Sequence, residues 1–290
     1  MNRFLVITNS QKDPGFQVTD RIKEYLETNG KSCYIETKEE TGKLHIPDGV
    51  ECIIVLGGDG TLLRAARETL EQDIPLIGVN LGTLGYLAEV ESSHLEAALK
   101  QLTEDDFTCE KRMMLWGKFL PDGAEEGTSE IKNYALNDIA ITRKGSLQVL
   151  CFHIYVNEQY LCTYHADGVL LSTPTGSTGY NLSAGGPIVE PSAELILLTP
   201  ICPHTLNTRT IVLSANDKIT VEIGENKKDV KQHVEACFDG SERIALTSGD
   251  KMEISRSSKT TTIIKLSKAS FLEILQRKMS IPTGLRKKNA

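Results

Sequence analysis

Apolar and polar positions follow two different patterns along this chain of 290 residues. In its first third, short apolar runs alternate with stretches that repeat their apolar residues at helical spacing. Strands that alternate with helices are typical of a parallel sheet covered by helices, which binds ligands at the carboxyl ends of its strands. The predicted elements are strands over 3–8, 32–36, 52–56 and 74–79, and helices over 17–28, 62–72 and 94–103.

The pattern changes near residue 107 to short segments with period-two alternation, which predict an antiparallel, sandwich-like domain. A helical pattern returns over about 270–278 and is expected to pack back on the first domain. We therefore predict an α/β domain, with a parallel sheet flanked by helices, over 1–106 and 267–290, and an all-β domain over 107–266. The predicted β segments are 133–143, 147–156, 160–165, 168–173, 218–223, 233–238, 243–247, 251–256 and 260–266.

A first candidate site follows the strand over 52–56, in the sequence Gly57-Gly58-Asp59-Gly60-Thr61. Glycines let the backbone approach an anion, and the helix that begins there adds the positive end of its dipole. A carboxylate beside phosphate is unfavourable for simple binding, but it suits a group that holds Mg²⁺ or accepts a proton from an attacking hydroxyl. The alternative is an ordinary turn whose Asp59 caps the helix. No Gly-Lys-Ser/Thr follows, so this is not a Walker A loop.

A second glycine-rich cluster extends from Asp167 to Pro187. Its serine and threonine hydroxyls and its backbone N–H groups offer many hydrogen-bond donors, and Tyr180 offers a flat face for an adenine or nicotinamide ring. The alternative is a flexible linker, but an apolar strand precedes the cluster and two prolines stiffen it. Together the two clusters predict a cleft between two domains that holds a nucleotide and transfers a phosphoryl group.

Composition bears on the binding partners of the protein, on its compartment and on whether it holds zinc. Apolar residues make up 40% and charged residues 24%, and the net charge of -7 argues against a broad nucleic-acid or anionic-membrane surface. No apolar run is long enough to span a bilayer, and we expect a cytoplasmic protein without a signal peptide. The seven cysteines are scattered without a Cys-x-x-Cys pair, which favours a reducing compartment and argues against a zinc site.

With these motifs the sequence resembles the NAD kinases, which make NADP⁺ from NAD⁺ and ATP. The first motif is shared with lipid kinases and phosphofructokinases, whereas the long second motif is specific to this family. The resemblance covers nearly the whole chain, through Gly57–Arg67, Asn80–Leu87, Leu136–Ile139, Asp167–Pro187, Pro203–Leu206, Phe238–Gly240 and Phe271–Lys278.

The resemblance implies transfer of the γ-phosphoryl group of ATP to the adenosine 2′-hydroxyl of NAD⁺, with Asp59 as general base. A divalent cation, usually Mg²⁺, would bridge the ATP phosphates, without a dedicated set of protein ligands. A homodimer or homotetramer is implied, in which Asp167 contacts the nicotinamide end of NAD⁺ in its own or a neighbouring subunit's site. The other implied binding residues are Gly57, Gly58, Gly60 and Arg64 at the phosphates, Asn137 and Asp138 at the adenosine, and His165, Thr175, Thr178, Gly179, Tyr180 and Ser183 around the pocket.

Three positions depart from the family pattern. Asp138 stands where many members have Glu, and Ser241 where many have Gln. His165 stands where the choice of Arg, Gly or a small polar residue accompanies the use of NADH; we expect NAD⁺ preference, because a partly cationic ring is closer to Arg than to Gly. Two alternatives are a lipid or sugar kinase that shares the Asp59 motif alone, and a non-catalytic NAD(P)H sensor. The phosphoryl donor and any feedback by NADP(H) are left open.

Overall fold

The computed structural model describes residues 1–38, 44–82, 85–88, 90–123, 132–145, 149–205, 208–225, 231–267 and 269–280. Its helices are α1 (Gln17–Thr28), α2 (Asp59–Glu68), α3 (Leu95–Thr103), α4 (Tyr180–Ser183) and α5 (Phe271–Ser280), with short 3₁₀ turns at Pro14–Phe16, Ser92–His94 and Thr175–Thr178.

The strands up to the middle of the chain are β1 (Arg3–Thr8), β2 (Ser32–Ile35), β3 (Thr37–Lys38), β4 (Leu44–His45), β5 (Cys52–Gly57), β6 (Leu76–Asn80), β7 (Val90–Glu91), β8 (Thr108–Leu120), β9 (Lys132–Ala135), β10 (Asp138–Arg143) and β11 (Leu150–Val156). The later strands are β12 (Gln159–Ala166), β13 (Gly168–Ser172), β14 (Leu195–Ile201), β15 (Ile211–Ser214), β16 (Ile219–Ile223), β17 (His233–Phe238), β18 (Glu242–Thr247) and β19 (Lys251–Lys265).

The parallel part of the fold is a sheet in which β2, β1, β5 and β6 lie side by side. β5 is buried along its whole length, as expected for a parallel strand with helices on both faces. One face packs against α1 and α3, and the other packs against α2. The predicted α/β architecture is confirmed, and the carboxyl ends of β1, β5 and β6 meet at one edge of the sheet.

The second half of the chain forms two facing layers of antiparallel strands. One layer is the sheet β15-β14-β13-β10-β17-β18, and the other contains β12, β11, β16, β19, β8 and β9. Their inward side chains form a single apolar core, with Phe152 and Phe238 fully buried. This arrangement confirms the sandwich-like prediction.

The long strand β19 belongs to both parts of the fold. Its first half pairs with β16, and near its end Ile263 pairs with Leu76 of the parallel strand β6, so one eleven-stranded sheet runs through the molecule. Helix α5 follows β19 and lies beside the Tyr86–Leu87 segment of the first half. The return of the C-terminal helix is thus confirmed, whereas the domain boundaries at 106 and 267 stay predictions and residues 281–290 lie outside the described part.

Candidate active site

Asp59 is held by the backbone of a distant segment rather than by its own helix. It is the first residue of α2, after Gly58, and the start of that helix has no side-chain cap. Its carboxylate accepts the N–H of Tyr86 at 2.8 Å on Oδ2, and those of Leu87 at 3.2 Å and Ala88 at 3.3 Å on Oδ1. The alternative reading of Asp59 as a helix cap is therefore wrong.

The space that a Cβ atom would enter differs among the glycines around Asp59. A Cβ at Gly85 would lie 1.9 Å from Oδ1 of Asp59, so the carboxylate occupies the space of a side chain at that position. A Cβ at Gly57 would lie 2.3 Å from Oγ1 of Thr61, which makes Gly57 a packing requirement between β5 and α2. Gly60 has open space on its Cβ side, so a ligand can approach its backbone.

Asp59 lines an open cavity of about 810 Å³ at the carboxyl ends of β1 and β5, which we call the Lys12 cavity. The loop after β1 contributes Lys12 to its wall, and α2 contributes Gly60 and Arg64. Arg64 makes an ion pair with Glu36, at 3.0 Å, and its Nη1 lies 3.7 Å from Glu68. The predicted phosphate residue Arg64 thus reaches the cavity with carboxylate partners already in place.

A second cavity of about 250 Å³, which we call the α5 cavity, adjoins the segment that holds Asp59. Tyr86 and Leu87 line it together with Thr175 and Thr178 of the second glycine-rich cluster and residues of α5. Nζ of Lys278, in α5, lies 4.6 Å from the centre of the Tyr86 ring, a cation–π contact. Burial lowers the pKa of Lys278, and the charge of Asp59 opposes that shift. The α5 cavity therefore brings two residues of the second glycine-rich cluster together with the segment that binds Asp59 of the first cluster.

Asp239 fixes the backbone at the start of β10. Its carboxylate accepts the N–H groups of Leu136, Asn137 and Asp138 at 2.8–3.2 Å, and Nη1 of Arg67 lies 3.1 Å from it. Burial raises the pKa of Asp239, while the three N–H groups and Arg67 favour its ionised form. Because Arg67 and Asp59 are on the same helix, α2 ties the catalytic candidate to the second half of the chain.

Asn137 lies between Asp239 and the second glycine-rich cluster. The N–H of Thr173 donates to its backbone oxygen at 2.9 Å, and a Cβ at Gly176 would lie 2.2 Å from that oxygen. Within the described part of the chain, Oδ1 of Asn137 is buried without a hydrogen-bond partner. A buried acceptor of this kind is expected to be paired when a ligand binds, which supports the predicted contact with a substrate.

The pKa values of Asp138 and Tyr180 are both raised in this region. Burial, with a smaller contribution from the charge of Asp239, raises the pKa of Asp138 to about 7. Burial also raises the pKa of Tyr180, followed by the influence of Cys202 and the charges of Asp138 and Asp167. The Tyr180 side chain is nevertheless 43% exposed, so its ring is open to a stacking partner.

The raised pKa of Asp138 predicts a pH-dependent cost to stability. In the folded protein this carboxyl is protonated up to about pH 7, whereas an ordinary Asp ionises near 3.8. The stability that the protonated form contributes is complete below pH 4 and is lost as pH rises through 7. We expect Asp138→Asn to be more stable than the wild type by roughly 1–3 kcal/mol at pH 8 and equally stable near pH 4. Urea unfolding at both pH values measures this, and a difference independent of pH would contradict it.

The predicted residues at the end of β12 form a more exposed group. Asp167 pairs with Arg143 of β10 at 2.9 Å, and His165 is exposed, with its backbone oxygen accepting the N–H of His204. Gly179 packs near the side-chain amide of Asn137, while Ser183 is exposed on α4. The structure thus brings Asn137, Asp138, Gly179 and Tyr180 together, and Ser183 lies at the edge of this group.

Several functional candidates carry no clear signal in the sequence. The N–H groups of 86–88 are backbone donors, Lys12 is an isolated lysine, and Arg67 and Asp239 are far apart in the chain. Phe238-Asp239-Gly240 belongs to the resemblance, but the number of groups that Asp239 holds is visible in the structure alone. Among the described residues, no group of three or more His, Cys, Asp or Glu is placed to hold a metal ion. In the same part of the chain, no helix has the length and apolar character needed to cross a bilayer.

Comparison with known proteins identifies the class of enzyme and its family. Residues 4–107 match the model of the ATP-NAD kinase N-terminal domain, and residues 136–266 match that of the ATP-NAD kinase C-terminal domain. Both halves of the fold, and with them both sides of the candidate site, are thus those of one class of phosphotransferase. The chain belongs to the NAD kinase family.

Individual relatives agree with this assignment. The chain is 44% identical to an NAD kinase of Lachnospira eligens over 298 residues, covering 96% of this chain and 100% of the relative. Among solved structures, yeast NADH kinase complexed with NADH has a TM-score of 0.85 at 23% identity, covering 99% of this chain and 90% of that one. An NAD kinase from Archaeoglobus fulgidus in complex with ATP has a TM-score of 0.77 at 25% identity, covering 96% and 99%.

Proposed function

We propose that this NAD kinase transfers the γ-phosphoryl group of ATP to the adenosine 2′-hydroxyl of NAD, with Asp59 as general base. The observation that carries the proposal is the position of Asp59: it lines the Lys12 cavity, and its hydrogen-bond donors Tyr86 and Leu87 line the α5 cavity. A base between two substrates is the arrangement that a direct transfer needs, because the attacking hydroxyl and the phosphoryl group must meet there.

The hydrogen bonds that Asp59 makes leave one acceptor position of its carboxylate for the substrate hydroxyl. An ionised carboxylate has about four acceptor positions, and the N–H groups of 86–88 use two on Oδ1 and one on Oδ2. Oδ2 therefore keeps one position for a ribose hydroxyl. The three donors also fix the carboxylate, so that little reorientation is needed when the substrate arrives.

We assign the Lys12 cavity to the phosphoryl donor and the α5 cavity, with the neighbouring cluster, to NAD. The first assignment is supported by the cations Lys12 and Arg64 and by the N-terminus of α2, all of which favour phosphate. The second is supported by the unpaired buried oxygen of Asn137 and by the exposed ring of Tyr180. In this assignment Gly58 and Gly60, which line the Lys12 cavity, lie at the donor, and Gly57 supports them through its packing against Thr61. Asp138, Thr175, Thr178 and Gly179 lie at the acceptor.

We propose that ATP is bound together with a divalent cation, usually Mg²⁺, which neutralises charge on the phosphates. Among the described residues, Asp59 and Glu36 are the carboxylates that line the Lys12 cavity, so they are groups that could contact such a cation. We also propose that the chain forms a homodimer or homotetramer. In that assembly Asp167 contacts the nicotinamide end of NAD, in its own or a neighbouring subunit's site.

The activity and its preference between redox states can be measured together. Purified protein is incubated with ATP, Mg²⁺ and either NAD⁺ or NADH, and each phosphorylated product is quantified with an NADP-specific dehydrogenase. We expect a higher kcat/KM for NAD⁺, because the imidazole of His165 resembles the Arg that some family members have at this position more than it resembles Gly. Equal kcat/KM for NADH would remove His165 as a determinant, and the absence of any product despite NAD⁺ binding would favour a sensor.

A further inference from the structure

Lys12 lies in a loop that the structure fixes at both ends. The N–H of Asn9 donates to the oxygen of Leu56, and the N–H groups of Lys12 and Asp13 donate to the oxygen of Asn9, at 2.9–3.0 Å. Asp13 is 2% exposed, and its carboxylate accepts the N–H of Val18 and both the N–H and the hydroxyl of Thr19. The loop is therefore built against β5 and α1, and it carries Lys12 to a defined place.

That place is directly over the glycine turn. A Cβ at Gly58 would lie 2.7 Å from Nζ of Lys12, and one at Gly82 would lie 3.7 Å from it. The glycine at position 58 thus leaves the space that the ammonium group occupies.

The charges around the Lys12 cavity leave this ammonium available. Arg64 is paired with Glu36, and the Asp59 carboxylate is held by the N–H groups of 86–88. Within the described residues Lys12 makes no ion pair. A cation that lines a cavity, beside the N-terminus of α2 and without a carboxylate partner among the described residues, is suited to an anionic ligand.

We propose that Lys12 binds the triphosphate of the phosphoryl donor. This inference rests on the assignment of the Lys12 cavity to the donor. Lysine acts at phosphate as a point charge with three hydrogen-bond donors, so it can follow the phosphate chain without a fixed bidentate geometry. The pyrophosphate of NAD is the other phosphate group that Lys12 could bind, and the experiment distinguishes it from the triphosphate of ATP.

The test uses Lys12→Met, which keeps an unbranched side chain one atom shorter than lysine and removes its charge. Lys12→Arg restores a cation at the same place, and Lys23→Met removes an exposed lysine from α1, outside the cavity. Initial rates are measured over a range of ATP concentrations at saturating NAD⁺, and over a range of NAD⁺ concentrations at saturating ATP. Binding of inorganic tripolyphosphate to each protein is measured by calorimetry, which requires no turnover.

We expect Lys12→Met to raise the KM for ATP and the Kd for tripolyphosphate by about 10- to 100-fold, as for the loss of a hydrogen bond to a charged group. The KM for NAD⁺ should stay within about twofold, Lys12→Arg should recover most of the loss, and Lys23→Met should match the wild type. A KM for ATP within about twofold of wild type would overturn the proposal, and so would a rise confined to the KM for NAD⁺.

The two measurements also separate this inference from the proposed function. If the wild type binds tripolyphosphate and forms no NADP⁺, the function fails, while a loss of binding in Lys12→Met still supports the role of Lys12. If Lys12→Met forms NADP⁺ with an unchanged KM for ATP, the function stands and the role of Lys12 is refuted.

Discussion

Asp59→Asn is expected to lower kcat by about 10²–10⁴-fold, the usual worth of a positioned general base, while the protein stays folded. The amide has nearly the shape of the carboxylate but cannot accept the proton of the ribose hydroxyl at neutral pH. Its oxygen can still accept the N–H groups of Leu87 and Ala88, so the segment that follows Gly85 keeps most of its support. Coupled NADP⁺ assays give kcat, and thermal unfolding confirms the fold.

The same carboxylate can be displaced without changing it chemically. In Gly85→Ala the new Cβ would lie 1.9 Å from Oδ1 of Asp59, so either the side chain or the segment must move, and a loss of kcat is expected here as well. Asp20→Asn, an exposed carboxylate on α1, is the matched control for charge and should leave activity unchanged. Near-normal turnover of Asp59→Asn with an intact KM for NAD would remove Asp59 from the mechanism.

The alternating half of the fold was predictable because its strands and helices carry opposite periodicities. The helix over 17–28 has the predicted bounds. Helix α2 begins at Asp59 rather than at 62, since the first N–H groups of a helix need no partner within it and a glycine there costs little. Because of that earlier start, Asp59 belongs to the helix that also carries Arg64 and Arg67.

The antiparallel half was predicted in type but not in its connections. Strand β8 was not predicted, because it begins with a mostly polar run, over 108–112, and continues with an uninterrupted apolar run, over 113–116. Neither run alternates with a period of two. The segment over 133–143 was predicted as one strand, whereas β9 and β10 are separated at Leu136 and Asn137. Asp239 binds the backbone at this break, and a tertiary contact of that kind has no local pattern in the sequence.

The candidate site shows the same division between side chains and their supports. Asp59 and Tyr180 are predicted from the chemistry of their side chains within the two glycine-rich clusters, and the resemblance to the NAD kinases adds Asn137 and Asp138. Their supports are backbone N–H groups, or charges brought from remote positions, as Lys12 is. The structure identifies these supports because the carboxyl ends of β1 and β5 lie side by side and bring residues from distant parts of the chain together.

Asp239→Asn is expected to destabilise the fold by about 3–5 kcal/mol at neutral pH, as for breaking a buried ion pair. The side chain of Asp239 is fully buried and that of Arg67 is 9% exposed, so the substitution leaves the guanidinium without its anion. It also turns one of the two acceptor oxygens into a donor that faces backbone N–H groups. Urea unfolding at pH 8 measures the loss.

The neighbouring carboxyl provides a control of opposite sign. Asp138→Asn makes the same chemical change, from carboxyl to amide, at a residue whose N–H Asp239 binds. It should nevertheless stabilise the protein at pH 8, because burial has already raised the pKa of Asp138 to about 7. Loss of the Asp239 charge also relieves Asp138, but burial is the larger cause of that shift, so the relief offsets the loss in part. Since Asp239 holds the N–H groups of Asn137 and Asp138, its replacement should also raise the KM for NAD more than that for ATP. Equal stability of Asp239→Asn and wild type at pH 8 would show that Arg67 does not need this carboxylate.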